Sequence, residues 1–186
     1  MNPAGGAEGN LDQAQFDWLD ADLAAAAGTV TLVFGHHPIG SMTNNLARPG
    51  DPAPPRRGAD LEALLLAHPN VVAFVNGHIH RNAVLPHPTP GRPGAGFWEI
   101  STAAHIDWPE QSRLVEVLDN ADGTLSIFGT IVDHRAAPDA TALTPSGQAA
   151  ISRELAFNDP QRSPADGSGT PLDRNVELVL SADIGS

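Results

Sequence analysis

Two stretches of the chain share one form, and together they restrict what it can fold into. Val30-Thr31-Leu32-Val33-Phe34 leads into Gly35-His36-His37-Pro38, and Val71-Val72-Ala73-Phe74-Val75-Asn76 leads into Gly77-His78-Ile79-His80. Each is a short run rich in β-branched and aromatic residues, closed by glycine, so each reads as a strand. Their unbroken apolar character predicts burial on both faces, as in a parallel sheet. Between them, Asp60 to His68 reads as a short helix stopped by Pro69-Asn70. Strand, helix, strand is the parallel crossover unit. Ligands of open α/β sheets sit beyond the carboxyl ends of the strands. Both Gly-His corners are therefore expected at one sheet edge.

The remaining elements follow from pattern. Residues 1–10 read as loop. A helix over about 11–27 carries Leu11, Phe16, Leu19 and Leu23 as an approximate apolar stripe, with Trp18 beside it, and stops at Gly28. Residues 39–58, with Pro49, Pro52, Pro54 and Pro55, read as a long irregular loop, a kind that is usually functional or disordered. After the second corner, Ala83 to Leu85 and Phe97 to Ser101 read as strands around a Pro/Gly-rich turn. Arg113 to Leu118 and Leu125 to Val132 are joined by the hairpin signal Asn120-Ala121-Asp122-Gly123. This meander is expected to extend the same sheet. A helix over 146–157 follows Pro145, residues 158–171 read as linker, and 175–180 as a last strand or ordered tail.

Composition then narrows the chemistry. There is no cysteine, which excludes disulfides and thiolate metal sites. A metal must be held by His, Asp, Glu or Asn, which favours Zn, Mn, Fe or Mg. The formal charge of -12 argues against a nucleic-acid-binding face. It leaves room for a phosphoester substrate, because a bound cation inverts the local field. No uninterrupted apolar run is long enough to span a bilayer. Met1 to Gly6 has neither the basic nor the apolar region of a signal peptide.

Imidazole is the commonest protein ligand for zinc and suits iron, so His36, His78 and His80 are the candidate metal ligands. His37, Arg81 and His105 are candidate substrate contacts, His37 with a metal-ligand role as its alternative, and no catalytic acid or base is assigned. His105 and Asp107 follow a strand and would come near the site edge; a structural loop is the simpler reading for both. His68, His87 and His134 are read as structural. On an extended segment His78 and His80 point to the same side. If the chain turns after Gly77, they address two neighbouring metals instead. Gly35 and Gly77 are expected to permit the sharp bends.

Gly35-His36-His37-Pro38 and Gly77-His78-Ile79-His80 resemble the last two motifs of the calcineurin-like metallophosphoesterases. The helix around Gln15-Phe16-Asp17-Trp18-Leu19 is similar to one that family carries before the first of them. Ser101 to Pro109 and Asp173 to Leu178 resemble an actinobacterial subgroup that generally bears a twin-arginine export signal, which implies an exported full-length parent. The resemblance implies an α/β fold, a partial αββα sandwich with a mixed, parallel-crossover sheet followed by an antiparallel meander. It implies hydrolysis of a phosphoester by water activated on two divalent ions. His36 and His78 match ligands of the second metal, and His80 a ligand of the first. Residues 1–157 would form the C-terminal half of the domain, and 158–186 a linker and tail.

The family's first half also supplies Asp-x-His, a Gly-Asp with the bridging carboxylate, and Gly-Asn-His-Asp/Glu. Asp-x-His is absent here. The only Gly-Asp, Gly50-Asp51, lies in the proline-rich loop, and the only Gly-Asn, Gly9-Asn10, is followed by Leu11. Three neutral imidazoles do not offset the repulsion between two divalent cations. The expectation is a C-terminal half, weak or inactive alone, seeking a complementary N-terminal half. The alternative is a non-catalytic metal- or partner-binding remnant.

Overall fold

A computed structural model describes residues 8–134, 144–160 and 167–184. The N-terminal loop reading for residues 1–7 and the linker reading for 161–166 lie outside the described residues. The fold is α/β, with a mixed sheet and a second, antiparallel sheet. Helix α1 spans Gln13–Ala25 and α2 spans Gly58–Ala67. The first sheet comprises β1 (Thr31–Phe34), β2 (Val71–Asn76), β3 (Ala83–Pro88) and β4 (Gly96–Ser101), in the order β1-β2-β4-β3. Its first three members run parallel, and β3 is antiparallel to β4.

Local chemistry sets the ends of α1. Asp12 accepts a hydrogen bond from the Gln15 N–H at 2.8 Å, while the Gln15 side chain accepts from the Asp12 N–H at 3.2 Å. This reciprocal box satisfies donors that a helix start leaves open. Gly28, at φ 76°, ends the segment in the left-handed region. Only Leu23 of the expected stripe is fully buried; Leu11 and Leu19 pack partly, and Trp18 is exposed. Phe16 instead lies under the Arg56 guanidinium, 4.9 Å from its ring centre.

The first sheet has α1 and α2 on one face, with Leu23, Leu61, Leu65, Val71, Phe74 and Phe97 as the shared core. Strand β2 is buried almost throughout, as its sequence predicts. Strand β1 is not. It forms the sheet edge, its first three residues are half-buried, and Phe34 is 71% exposed. An apolar run reads the same in an edge strand as in a central one, because neighbour count is not encoded locally.

The meander does not extend this sheet beyond β3. Strands β5 (Ser112–Asp119), β6 (Thr124–Val132) and β7 (Val176–Ser181) build the second sheet, in the order β5-β6-β7. It packs on the opposite face of the first. Leu125, Ile127, Leu178 and Leu180 meet Val72, Ala73 and Ile100 there. The segment read as a possible tail is thus the third strand of this sheet. Helix α3 (Pro145–Asn158) meets the loop after β4, with Phe157 edge-on to Trp108 at 5.0 Å. No helix among the described residues is long and apolar enough to cross a membrane.

The proline-rich loop is ordered by the N-terminal segment. Leu11 and Arg56 exchange two backbone hydrogen bonds of 2.9 Å, and Gly9 bonds to Ser41 and Asn44 at 3.1 Å each. The loop therefore carries strand-like pairing that its prolines conceal in sequence.

Candidate metal centre

Three parallel strands end together, and their backbones stay paired past the last strand residue. Gly35 N–H donates to Val75 O, Gly77 N–H to His36 O, and Thr102 N–H to Asn76 O, at 2.9–3.0 Å. Both Gly-His corners are thereby locked side by side. His36, His37 and His78 converge, each offering a ring nitrogen within 4.8 Å of the others. The His37 and His78 rings stack at 3.9 Å, and His36 stands edge-on to both at 5.0 and 5.2 Å.

The turn that achieves this comes from the histidines themselves. His78 has φ 64° and His80 φ 51°, a region histidine enters more readily than most side chains but at a cost. Ile79 N–H donates to Gly77 O at 2.7 Å, closing a three-residue turn. Gly77 is not in the left-handed region, and a Cβ there would meet only Thr102 O at 3.9 Å. The expected bend at Gly77 is thus made one residue later. Gly35 is needed for space, since a Cβ would lie 2.9 Å from the Phe74 ring. Gly9 is closer still: its Cβ would lie 2.6 Å from the His37 ring. Gly9→Ala is therefore expected to displace His37 and weaken metal binding about tenfold, while Gly77→Ala leaves it within about twofold. Calorimetric titration with Zn²⁺ checks both.

His80 does not join the cluster. The turn sends it to Asp107, in the loop after β4, where its Nδ1 pairs with Oδ2 of that carboxylate. Its Nε2 is left as the ring atom for a ligand role, the arrangement in which a carboxylate orients a metal-binding histidine. His37, read in sequence as a substrate contact, is part of the cluster. His105 is exposed and bonds to Ser112 Oγ at 2.8 Å, away from it. The Arg81 charge helps hold Asp173 below the ordinary carboxylate range, after burial, which opposes this, and bonds from Thr170 and Val84. His68 bonds to Asp20 at 2.7 Å, joining the end of α2 to α1.

Protonation of His37 is disfavoured in the cluster. Burial, then the neighbouring His78 and His36, push the His37 pKa below its ordinary value. The ring stays neutral to lower pH, and a metal ligand must be unprotonated. Three imidazoles with room for further ligands fit one divalent ion of the zinc or iron type. A cavity of about 500 Å³ lies beside them, walled by Trp18, Leu19, Leu32 and Phe34 and reaching His36 and His37.

No protein-family model matches the sequence, and no curated protein matches it. Among solved structures, the chain is similar to that of a dimetal phosphatase from Danio rerio. The match has 20% identity and a TM-score of 0.43, and covers 63% of this chain. The chain spans about a third of that phosphatase, 35% of its length.

A buried ionic group joins His87, structural as its sequence context suggests, to Glu99 and Glu62. Glu99 on β4 is 5% exposed, and His87 on β3 is 7% exposed. His87 Nε2 bonds to Glu99 at 2.9 Å and Nδ1 to Glu62 at 2.7 Å. Both ring nitrogens face carboxylates, an arrangement that favours the imidazolium form, in which both N–H groups donate. Burial opposes that charge, but the bonds to Glu99 and Glu62 outweigh it and raise the His87 pKa. Burial likewise opposes the Glu99 charge, and bonds from His87 and the Ile39 N–H outweigh it and lower the pKa. The available signal was a carboxylate within the apolar strand Phe97-Trp98-Glu99-Ile100, which is costly unless paired.

The signs give a pH window. The Glu99 contribution is present above its ordinary pKa of 4.5 and is lost as pH falls through the lowered folded value. That of His87 is full below its ordinary 6.5 and is lost as pH rises through the raised folded value. The pair thus stabilises most between those ordinary values. Urea midpoints at pH 6 and pH 9 are expected to differ less in His87→Gln than in the unaltered chain.

Proposed function

We propose that the chain is the histidine-bearing part of a metal-dependent phosphoesterase. The observation that carries this reading is the convergence of His36, His37 and His78 at the carboxyl edge of three parallel strands. The motif resemblance of the two Gly-His corners agrees with it. A divalent ion held there would supply Lewis acidity toward a phosphoryl oxygen and a lowered pKa for water. His36, His37 and His78 hold one ion in this reading, the second of the family's pair, and His80, oriented by Asp107, is the ligand toward the other. Mn, Fe, Zn and Mg remain the candidate ions.

Among the described residues the convergent group contains no carboxylate. Two adjacent divalent cations need negative charge between them. The proposed chain therefore binds one ion well and hydrolyses phosphoesters slowly, and a complementary polypeptide supplies the bridging carboxylate. The same observation favours a second reading, a metal-binding remnant without catalysis. The test is hydrolysis of a chromogenic phosphodiester with Mn²⁺, by the 186-residue chain and by an N-terminally extended version. Full activity of the short chain would sink the need for a second polypeptide. An inactive, metal-loaded extended version decides for the remnant.

A further inference from the structure

The two histidine corners come from different strands, and one buried carboxylate touches both. Glu99 Oε1 accepts from the Ile39 N–H at 2.8 Å, two residues beyond His37, and from Asn76 Nδ2 at 2.9 Å, two residues before His78. Its other oxygen is held by His87, which Glu62 on α2 holds in turn. The opposite end of the Asn76 amide accepts from Ser101 Oγ at 2.5 Å, which fixes how that side chain is turned. The His87 ring lies flat on Phe97 at 4.6 Å and 6°. Every polar atom that could let Glu99 swing away is thus engaged, on an interior strand of the sheet.

We propose that Glu99 is the positioning residue of the cluster: its Oε1 is a shared acceptor that sets the His36-His37 corner against the His78 corner. This rests on the metal-centre reading for its effect on metal binding, but the placement of the rings is a property of the metal-free chain. Glu62 and His87 hold Glu99 in its rotamer and keep it charged, which strengthens both bonds to Oε1. Ring placement matters because outer partners that orient metal-binding side chains alter affinity by about 10–100-fold.

The test compares Glu99→Gln, which keeps an acceptor oxygen at the same reach, with Glu99→Leu, which removes it. Two readouts are taken on the full chain: Zn²⁺ affinity by calorimetry, and the imidazole NMR signals of His36, His37 and His78 without metal. Glu99→Leu is expected to weaken Zn²⁺ binding at least about tenfold and to shift the three ring signals, with Glu99→Gln restoring both toward wild type. If Glu99→Leu does not fold, the double substitution Glu99→Leu/His87→Leu removes the orphaned imidazole and takes its place. A purely structural Glu99 would lower the unfolding midpoint and leave ring signals and affinity unchanged; that result overturns the proposal. If the unaltered chain binds no Zn²⁺, the metal-centre reading fails, and the ring signals alone decide the role of Glu99.

Discussion

His78→Ala is expected to abolish stoichiometric binding of Zn²⁺ or Co²⁺ at the cluster, with a loss of more than about a hundredfold in affinity. His78 is the one ring of the three from the second corner, stacked on His37 and edge-on to His36. Loss of an outer partner alone costs about 10–100-fold, and in the proposed centre His78 is one of three direct ligands, whose loss exceeds that. His80→Ala makes the contrast. His80 is paired with Asp107 outside the cluster, so the first equivalent of metal is retained. Calorimetry, or the visible spectrum of the Co²⁺ form, separates the two variants. Wild-type affinity in His78→Ala would refute the metal centre.

Ile127→Ala should cost about 3–4 kcal/mol of folding stability, within the range for large-to-small changes in a close-packed core. Ile127 has no exposure and lies in the cluster where the second sheet meets the first. The cavity would open between β6 and the layer of Val72 and Ile100, where both sheets are fixed by their own hydrogen bonds and cannot easily collapse. Domains of this size hold only about 5–15 kcal/mol in total, so the urea midpoint should fall by a large fraction. If the sheets unfold as one unit, fluorescence and circular dichroism transitions shift together. A cost under about 1 kcal/mol would mean that the second sheet contributes little to the core.

The second sheet was the part of the fold least legible in the sequence. Strands β5 and β6 and their turn are clear from alternation and from Asn120 to Gly123. Whether a meander joins an existing sheet or folds over it depends on which face finds an apolar partner. That is a tertiary property, supplied here by Val72, Ala73 and Ile100. The same reason applies to β1, where apolar residues take an edge position with Phe34 exposed. Within the site, the convergence of the two corners was readable, because β-strand, crossover and glycine-histidine order dictate it. The separation of His80 from His78 was readable only as the alternative of a turn after Gly77, and two left-handed backbone angles that no residue type requires select it.

By itself, the sequence determined the parallel crossover, the absence of thiolate chemistry and the placing of His36 and His78 at one sheet edge. These follow from periodicity, composition and chain connectivity. Only the tertiary structure decided that His37 completes the group, that Asp107 takes His80, and that Glu99 ties both corners together. Each of those depends on side chains from separate strands and loops meeting in space. The Gly-His corners announce a site; its membership is set by the sheet that carries them.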